Sequence, residues 1–289
     1  MYRAKKSGRS RTMLFDDEMQ AWANHRLALE NALRRALVGG ELEVWYQPIC
    51  SLEAQPAIVG AEALVRWVRP GHGLVLPGTF LHLAEETGLI VDVGATVLGR
   101  AAKELGHWCR EWPGYGLSIA LNLSARELQQ SDLVRRLEAN IERYGIPPEL
   151  LEIELTEATL ISESEVSRRA LEGLRRLGVR IVIDDFGTGF SSLSYLRRVP
   201  ADVLKIDRSF VEEVDREESA AAIVGAVLAM GHAVGLEVIA EGVERETQVE
   251  RLRELGATMA QGYLLGKPCT ATELRTRIRD QVEPLRGAA

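Results

Sequence analysis

Residues 180–187 read RIVIDDFG, a short apolar run that ends on two adjacent carboxylates, Asp184 and Asp185. The same device recurs along the chain. Glu62 stands in VGAEAL, Glu154 in LLEIELTE and Glu241 in LEVIAEGVE, while Asn122 in IALNLS, Lys205 in VLKID and Gln261 in MAQGY hold equivalent places. One strand ending in an acid means little. Several strands whose tips carry acids, with Asn, Lys and Gln on the others, are the layout of a barrel whose strand ends converge on metal ions.

Working outward, short apolar runs fall near 43–50, 58–68, 117–123, 150–155, 180–184, 202–206, 236–240 and 258–260. Helical patterns lie between most of them, at 90–111, 131–144, 163–177, 218–234 and 245–255. This alternation predicts a mostly parallel sheet, and eight strands predict closure into a barrel. The segment from Gly40 to Ala289 has the usual length of a (β/α)8 barrel, about 250 residues. Only SLEAQPA separates the first two runs, too little for a crossover helix. The first strand is therefore expected to run antiparallel to its neighbour. A last helix is expected near 270–285, capped by Thr270. Ahead of the barrel, residues 13–38 place Met19, Trp22, Leu29, Leu33 and Leu37 on one stripe of an amphipathic helix that Gly39-Gly40 ends.

The chain has 289 residues, 46% hydrophobic, with a formal net charge of −7. That balance argues against a general nucleic-acid surface, so no binding to DNA or RNA duplexes is expected. A phosphate substrate is still compatible if bound cations invert the local field. The three cysteines are far apart and form no CxxC, which reads as reduced thiols. No histidine spacing suggests a metal. There is no apolar run of about 18 residues to span a membrane, and no phosphate-loop or GxSxG motif. The GTGF at 187–190 reads as a βα turn.

The carboxylates suit hard divalent cations. Glu62, Asn122, Glu154 and Asp184 would supply one site. Asp185 and Glu241 would join a second, with Asp184 bridging. Neighbouring residues in a strand point to opposite faces, so the chain must turn for both aspartates to reach the metals, and Gly187 and Gly189 permit it. Two ions about 4 Å apart are a device for phosphodiester cleavage. Lys205 would orient the water or neutralise the departing oxyanion. Any single acid is as readily a helix cap or surface residue. Packed together they repel, and cations resolve the conflict.

At these residues the sequence resembles the EAL-domain family of cyclic-di-GMP phosphodiesterases. The naming motif is Glu62-Ala63-Leu64. YQPI at 46–49, NLS at 122–124, ELTE at 154–157, DDFGTGFSSLSYL at 184–196, LKID at 204–207, AEGVE at 240–244 and QGYLLGKP at 261–268 accompany it. The resemblance covers about residues 40–285. It implies a modified TIM barrel with an antiparallel first strand. It implies two Mg2+ or Mn2+ ions on Glu62, Asn122, Glu154, Asp184, Asp185 and Glu241, and hydrolysis of cyclic di-GMP to linear 5′-pGpG in bacterial signalling. Ca2+ is expected to bind without supporting catalysis. Lys205 would contact the nucleophilic water, and Glu241 would be general base or metal ligand. Gln47 and Arg66 would contact the dinucleotide. Leu64 and Tyr263 would pack on it, and Asp207, Glu244, Gln261 and Pro268 would line the pocket. Tyr46 and Trp67 read as core aromatics.

In the family, the acid at Glu157 anchors the loop after the paired aspartates, and that loop lies near a dimer contact. The resemblance thus implies a homodimer through the barrel near residues 186–195, with dimerisation coupled to catalysis. Two competing readings stay in view, a non-catalytic cyclic-di-GMP receptor and a barrel enzyme for another phosphodiester. Degenerate members lose metal ligands or the loop anchor, and no such loss occurs here. Residues 1–11, MYRAKKSGRSR, resemble the end of a GGDEF domain, with Ser10 where Asn is usual. The expected layout is a GGDEF remnant at 1–12, an interdomain linker helix at 13–38 and the EAL domain at 39–289. Upstream GGDEF and sensory domains would belong to the parent protein. The chain would be a cytoplasmic domain, any membrane anchor of the parent lying in segments outside it.

Overall fold

The apolar runs become strands that close on themselves. The structure is a computed structural model that describes residues 17–161, 164–187 and 201–286. Strands β1 (Leu42–Ser51), β2 (Ile58–Arg69), β3 (Gly73–Val75), β4 (Ser118–Asn122), β5 (Leu151–Thr156), β6 (Arg180–Phe186), β7 (Val203–Ile206), β8 (Glu237–Ala240) and β9 (Met259–Gln261) form one sheet. Its order is β1-β9-β8-β7-β6-β5-β4-β2-β3, and an added β1–β2 pairing closes eight of the strands into a barrel. As expected, β1 is antiparallel to β2, from Leu42 opposite Trp67 to Cys50 opposite Ile58, and also antiparallel to β9. The other barrel pairs are parallel.

Helices Ile90–Glu111, Leu133–Tyr144, Glu165–Leu177, Glu218–Ala233, Glu246–Glu254 and Ala271–Arg286 match the predicted segments within a few residues. Thr270 caps the last one, its hydroxyl accepting from Glu273 N. Besides four helical turns of three to five residues, at Ala125–Leu128, Pro148–Leu150, Glu157–Ile161 and Arg208–Val211, a strand and a longer helix carried no sequence expectation. Strand β3 is three residues long and hairpins back on β2 after a turn at 70–72, too short for a periodicity to register. Helix Pro77–Thr87 starts with proline, whose fixed φ suits a first turn, and ends on Gly88 at φ 87.

The helical layer packs on the barrel's outer face. Trp67 is fully buried and meets Phe80 edge-on at 5.7 Å, and buried Tyr46 packs near Trp108 at 6.0 Å. Both Tyr46 and Trp67 are core aromatics, as read. Inside the barrel, residues two apart on a strand share a face, and the charged and apolar positions stack in layers. Glu152, Arg180 and Glu237 form an ion-paired floor. Ile49, Val182, Val203 and Ile239 form a small apolar layer separate from the main core. Asp184, Lys205 and Glu241 follow two residues after Val182, Val203 and Ile239, and Glu154, paired beside Val182, follows Glu152 on β5.

The N-terminal helix spans Asp17–Gly39. It buries Ala32, Leu33 and Ala36, with Leu29 and Leu37 half-buried, while Trp22 and Leu27 are more than half exposed. It packs on helices Pro77–Thr87 and Ile90–Glu111, and Arg26 pairs with Glu86, but burial begins only at Leu29, so Trp22 does not share the buried stripe. No helix of the described residues is long and apolar enough to cross a membrane. Residues 1–16 and the 188–200 segment, with the expected GGDEF remnant and most of the expected dimer loop, lie outside the described residues.

Candidate active site

Strand pairing alone gathers most of the predicted residues. Gln47 lies opposite Glu62, Asn122 beside Glu154, Thr156 beside Asp184, and Ile49 opposite Gln261. Lys205, one residue from the end of β7, is almost wholly buried at 1% exposure. Its Nζ stands 2.5 Å from Glu241 Oε1, 2.9 Å from Glu154 Oε1, 3.5 Å from Glu62 Oε2 and 3.7 Å from Asp184 Oδ1. Asn122 Nδ2 donates to Glu62 Oε1 at 2.6 Å, and Gln261 Nε2 donates to Glu62 Oε2 at 2.8 Å.

The paired aspartates reach the same side because the strand breaks register between them and β7. The β6–β7 ladder shifts between Ile183 and Phe186. Asp185 sits at φ 54, the one non-glycine residue of positive φ among those described. A left-handed residue with a side chain costs about 1–2 kcal/mol, least for Asp and Asn. The turn therefore resides in Asp185 itself as well as in Gly187. Gly187 at φ 98 also lies so close to Phe210 that a Cβ would fall 2.7 Å from the ring. Asp184, Asp185 and Glu241 each bring a carboxylate oxygen within 4.8 Å of the other two.

The electrostatics are lopsided. Four carboxyls, those of Glu62, Glu154, Asp184 and Glu241, share the Lys205 ammonium among the described residues, and Asp185 stands beside Asp184 and Glu241. Burial drives Glu154 well above the ordinary carboxylate range, Lys205 pulls it back only in part, and Glu62 and Asp184 push the same way as burial. Burial, Asp184 and Glu62 push Glu241 up to about 7 against the pull of Lys205. Burial also raises Asp185, with help from Asp184 and Asp207. For Glu62, burial is outweighed by Lys205 together with the amides of Gln261 and Asn122, and its carboxyl is held below the usual range. Burial works against the charge on Lys205, but its four carboxylates raise it well above an ordinary lysine.

Several acceptors remain unsatisfied. Glu154 Oε2, Asp184 Oδ1 and Gln261 Oε1 are buried without a hydrogen bond among the described residues, and Glu154 Oε1 has only the Lys205 ammonium. Orphaned buried oxygens beside a carboxylate trio are what a divalent cation satisfies, so the donor set fits the implied metals.

Around this cluster lie two hollows. A cavity of about 640 Å³ opens beside β2, β4 and β5, with Glu62, Leu64, Pro77, Leu81, Asn122 and Thr159 among its walls. A smaller one of about 180 Å³ lies on the other side, at Gln47, Glu244, Gln261 and Tyr263. Tyr263 is 54% exposed, with Lys267 Nζ 5.5 Å from its ring centre. Arg66 is buried, donates to Val65 O and lies 5.9 Å from the Trp45 ring. Asp207 accepts from Ser209 N at the end of β7, and Pro268 is half-buried near the end of the 261–268 motif. Glu157 is buried, and neither of its oxygens has a donor among the described residues. The loop it is expected to anchor lies outside them.

Sequence reasoning passed over the wall contributed by Pro77, Leu81 and Thr159, and over Arg208 at the rim of the smaller hollow. Proline at a helix start was a signal for the first of these. For Arg208 the signal was its place directly after LKID.

Comparison with known proteins agrees with this geometry. The bifunctional diguanylate cyclase/cyclic di-GMP phosphodiesterase MucR of Pseudomonas aeruginosa is 43% identical over 278 residues, covering 95% of this chain and 40% of that protein. The cyclic di-GMP phosphodiesterase NbdA of the same organism is 38% identical over 297 residues, 99% of this chain and 37% of that protein. The chain thus spans about two fifths of the length of these relatives. A solved structure, PaMucR phosphodiesterase in complex with c-di-GMP, superposes with a TM-score of 0.80 at 43% identity, covering 86% of this chain and 99% of that one. The EAL domain profile matches residues 30–268. The chain therefore belongs to the EAL domain family.

Proposed function

We propose that this chain hydrolyses one phosphodiester bond of cyclic di-GMP, giving linear 5′-pGpG, with two Mg2+ or Mn2+ ions. The observation that carries the proposal is the convergence of four carboxyls on Lys205, with Asp185 beside Asp184 and Glu241, in a family whose named relatives act on this dinucleotide. Glu62, Asn122, Glu154 and Asp184 would hold one ion, and Asp184, Asp185 and Glu241 the other. When bound, the ions supply positive charge that lowers the pKa of the attacking water and stabilises charge developing on phosphorus.

The chain's own groups do the rest. Asn122 and Gln261 fix the Glu62 carboxylate in one orientation. Lys205, unable to lose its proton among four carboxylates, orients the water and offsets negative charge. Glu241, poised at about 7, takes a proton near neutrality or serves as a ligand. Arg66 holds a phosphate by charge-assisted bonds. Tyr263 stacks on a guanine, Leu64 and Gln47 contact the dinucleotide, and Asp207, Glu244, Gln261 and Pro268 complete the pocket.

We further place the chain as the EAL domain at 39–289 of a longer cytoplasmic signalling protein. The linker helix at 13–38 would follow a GGDEF domain that ends near residue 12, with sensory domains further upstream. A homodimer near residues 186–195, with Glu157 anchoring that loop, would couple assembly to turnover. Activity that does not change across a measured monomer–dimer transition would refute the coupling.

The decisive experiment follows cyclic di-GMP by product chromatography with Mg2+, Mn2+, Ca2+ or chelator. Formation of pGpG with Mg2+ or Mn2+, little with Ca2+ and none with chelator is expected. Glu62→Ala should abolish turnover and leave the fold intact. Tight binding without product under every metal would replace the enzyme by a receptor.

A further inference from the structure

The smaller hollow has one feature that the proposed chemistry leaves unused. Arg208 is the only basic side chain among the described residues that line it, facing Glu241 and Glu244 across a space with Gln47 and Tyr263. Its stem has a fixed bed. Gly242, one residue past Glu241, sits at φ 75, and a Cβ there would fall 2.4 Å from Arg208 Cγ. Its head is aimed, with Nη2 3.0 Å from Glu244 Oε1. Both side chains keep much of their surface open, 56% and 40%. An exposed pair of this kind is weak and can rearrange for a ligand.

The combination has a chemical meaning. A carboxylate beside Arg208 repels a phosphate. It accepts readily from the N1–H and N2–H2 donors of guanine, whose O6 and N7 acceptors lie along the adjoining edges. Bidentate donation from arginine to guanine O6 and N7 is the commonest base-specific contact in nucleic-acid recognition. The exposed face of Tyr263 supplies a platform for the same base.

We propose that Arg208, oriented by Glu244 and seated on Gly242, is a specificity-determining residue that donates to the O6 and N7 edge of one guanine of the cyclic dinucleotide. The inference rests on the reading of this site as one for cyclic di-GMP.

The test compares wild type, Arg208→Ala and Arg208→Lys on cyclic di-GMP and on its 7-deazaguanine analogue, which lacks N7. Dissociation constants are measured with Ca2+ and steady-state kinetics with Mg2+. For Arg208→Ala, Kd and KM for cyclic di-GMP should rise roughly ten- to hundredfold, with kcat changed much less. Arg208→Lys keeps the charge and loses the fork, so it should recover only part of the loss. Wild type should bind the 7-deaza analogue several-fold more weakly than cyclic di-GMP, and Arg208→Ala should bind the two alike. An unchanged KM, a loss confined to kcat, or a 7-deaza penalty that persists in Arg208→Ala would overturn the proposal. Wild type that neither binds nor cleaves cyclic di-GMP would instead remove the functional reading, and this inference with it.

Discussion

Replacing Lys205 by methionine isolates the electrostatics of the site, because the two side chains are close in length and the position is buried at 1% exposure. The substitution removes the ammonium that stands 2.5 Å from Glu241 and 2.9 Å from Glu154. Deleting one partner of a buried ion pair costs about 3–5 kcal/mol, since the other is left charged and desolvated. For a barrel of this size that is roughly a 10 °C fall in Tm. The cost should depend on pH in a definite direction. Glu154 and Glu241 have folded values above their ordinary ones, so between the ordinary and the raised value the folded chain holds more protons than the unfolded. Metal-free stability therefore declines as pH climbs through that window, from 4.5 to about 7 for Glu241. Without Lys205 the same carboxyls rise further and the window extends upward. Thermal unfolding in chelator should show a larger penalty for Lys205→Met at pH 8 than at pH 5, and Mn2+ should recover part of the pH 8 loss. A penalty equal at both pH values, or larger at pH 5, would refute the assignment of Lys205 as the charge that holds these acids together.

Other predictions follow from single contacts. A Cβ on Gly94 would fall 1.6 Å from Glu127 Oε1, displacing the carboxylate that completes the capping box with Ser124. Gly94→Ala should therefore lower stability by about 1–3 kcal/mol, and an unchanged Tm would show that Glu127 swings aside freely. Binding of Mn2+ at pH 6.5 should release protons from Glu241, and affinity should climb with pH and level off above about 8. Calorimetry in two buffers of different ionisation enthalpy measures that release directly, and equal observed heats in the two buffers would contradict it. Asp185→Asn keeps a residue that tolerates φ 54 and removes one charge from the trio. It should weaken metal binding by tenfold or more while leaving Tm nearly unchanged in chelator, and a large loss of stability would move Asp185 from the site to the fold.

Strand existence, the antiparallel β1 and the helix spans were legible because each rests on local pattern. The runs are short and apolar, the first connection is too brief for a helix, and the helices have ordinary periodicity and stops. The site was legible for a related reason: acids at strand tips are expensive where they stand, and the closing of the barrel is what brings them together. What pattern does not carry is the bend inside β6. Adjacent aspartates announce a turn, but not that Asp185 itself adopts it. Nor does pattern reveal β3, whose three residues fall below any period, or the exposure of Trp22. The helical stripe from Met19 to Leu37 is continuous in sequence, but the outer helices bury it only from Leu29 onward. Arg208 escaped because its meaning lies in Gly242 and Glu244, more than thirty residues away, and appears only when β7 and β8 lie side by side.

The barrel interior provides its own control for reading the top layer as functional. Its floor is also charged: Glu152 is buried at 3% exposure, and burial raises its carboxyl. Yet Arg180 reaches Glu152 at 2.9 Å and Glu237 at 2.7 Å, and Asp202 accepts from Ile181 N at 2.8 Å. None of the side-chain atoms of these floor residues is left orphaned among those described. Toward the other strand ends Lys205 alone meets Glu62, Glu154, Asp184 and Glu241 among the described residues, with buried oxygens on Glu154 and Asp184 unsatisfied there. One fold therefore satisfies its buried charges at one end and leaves them unbalanced at the other. Burial alone would apply to both ends, so it does not account for the difference. A demand for external positive charge does, and it falls at the strand ends that face the two hollows.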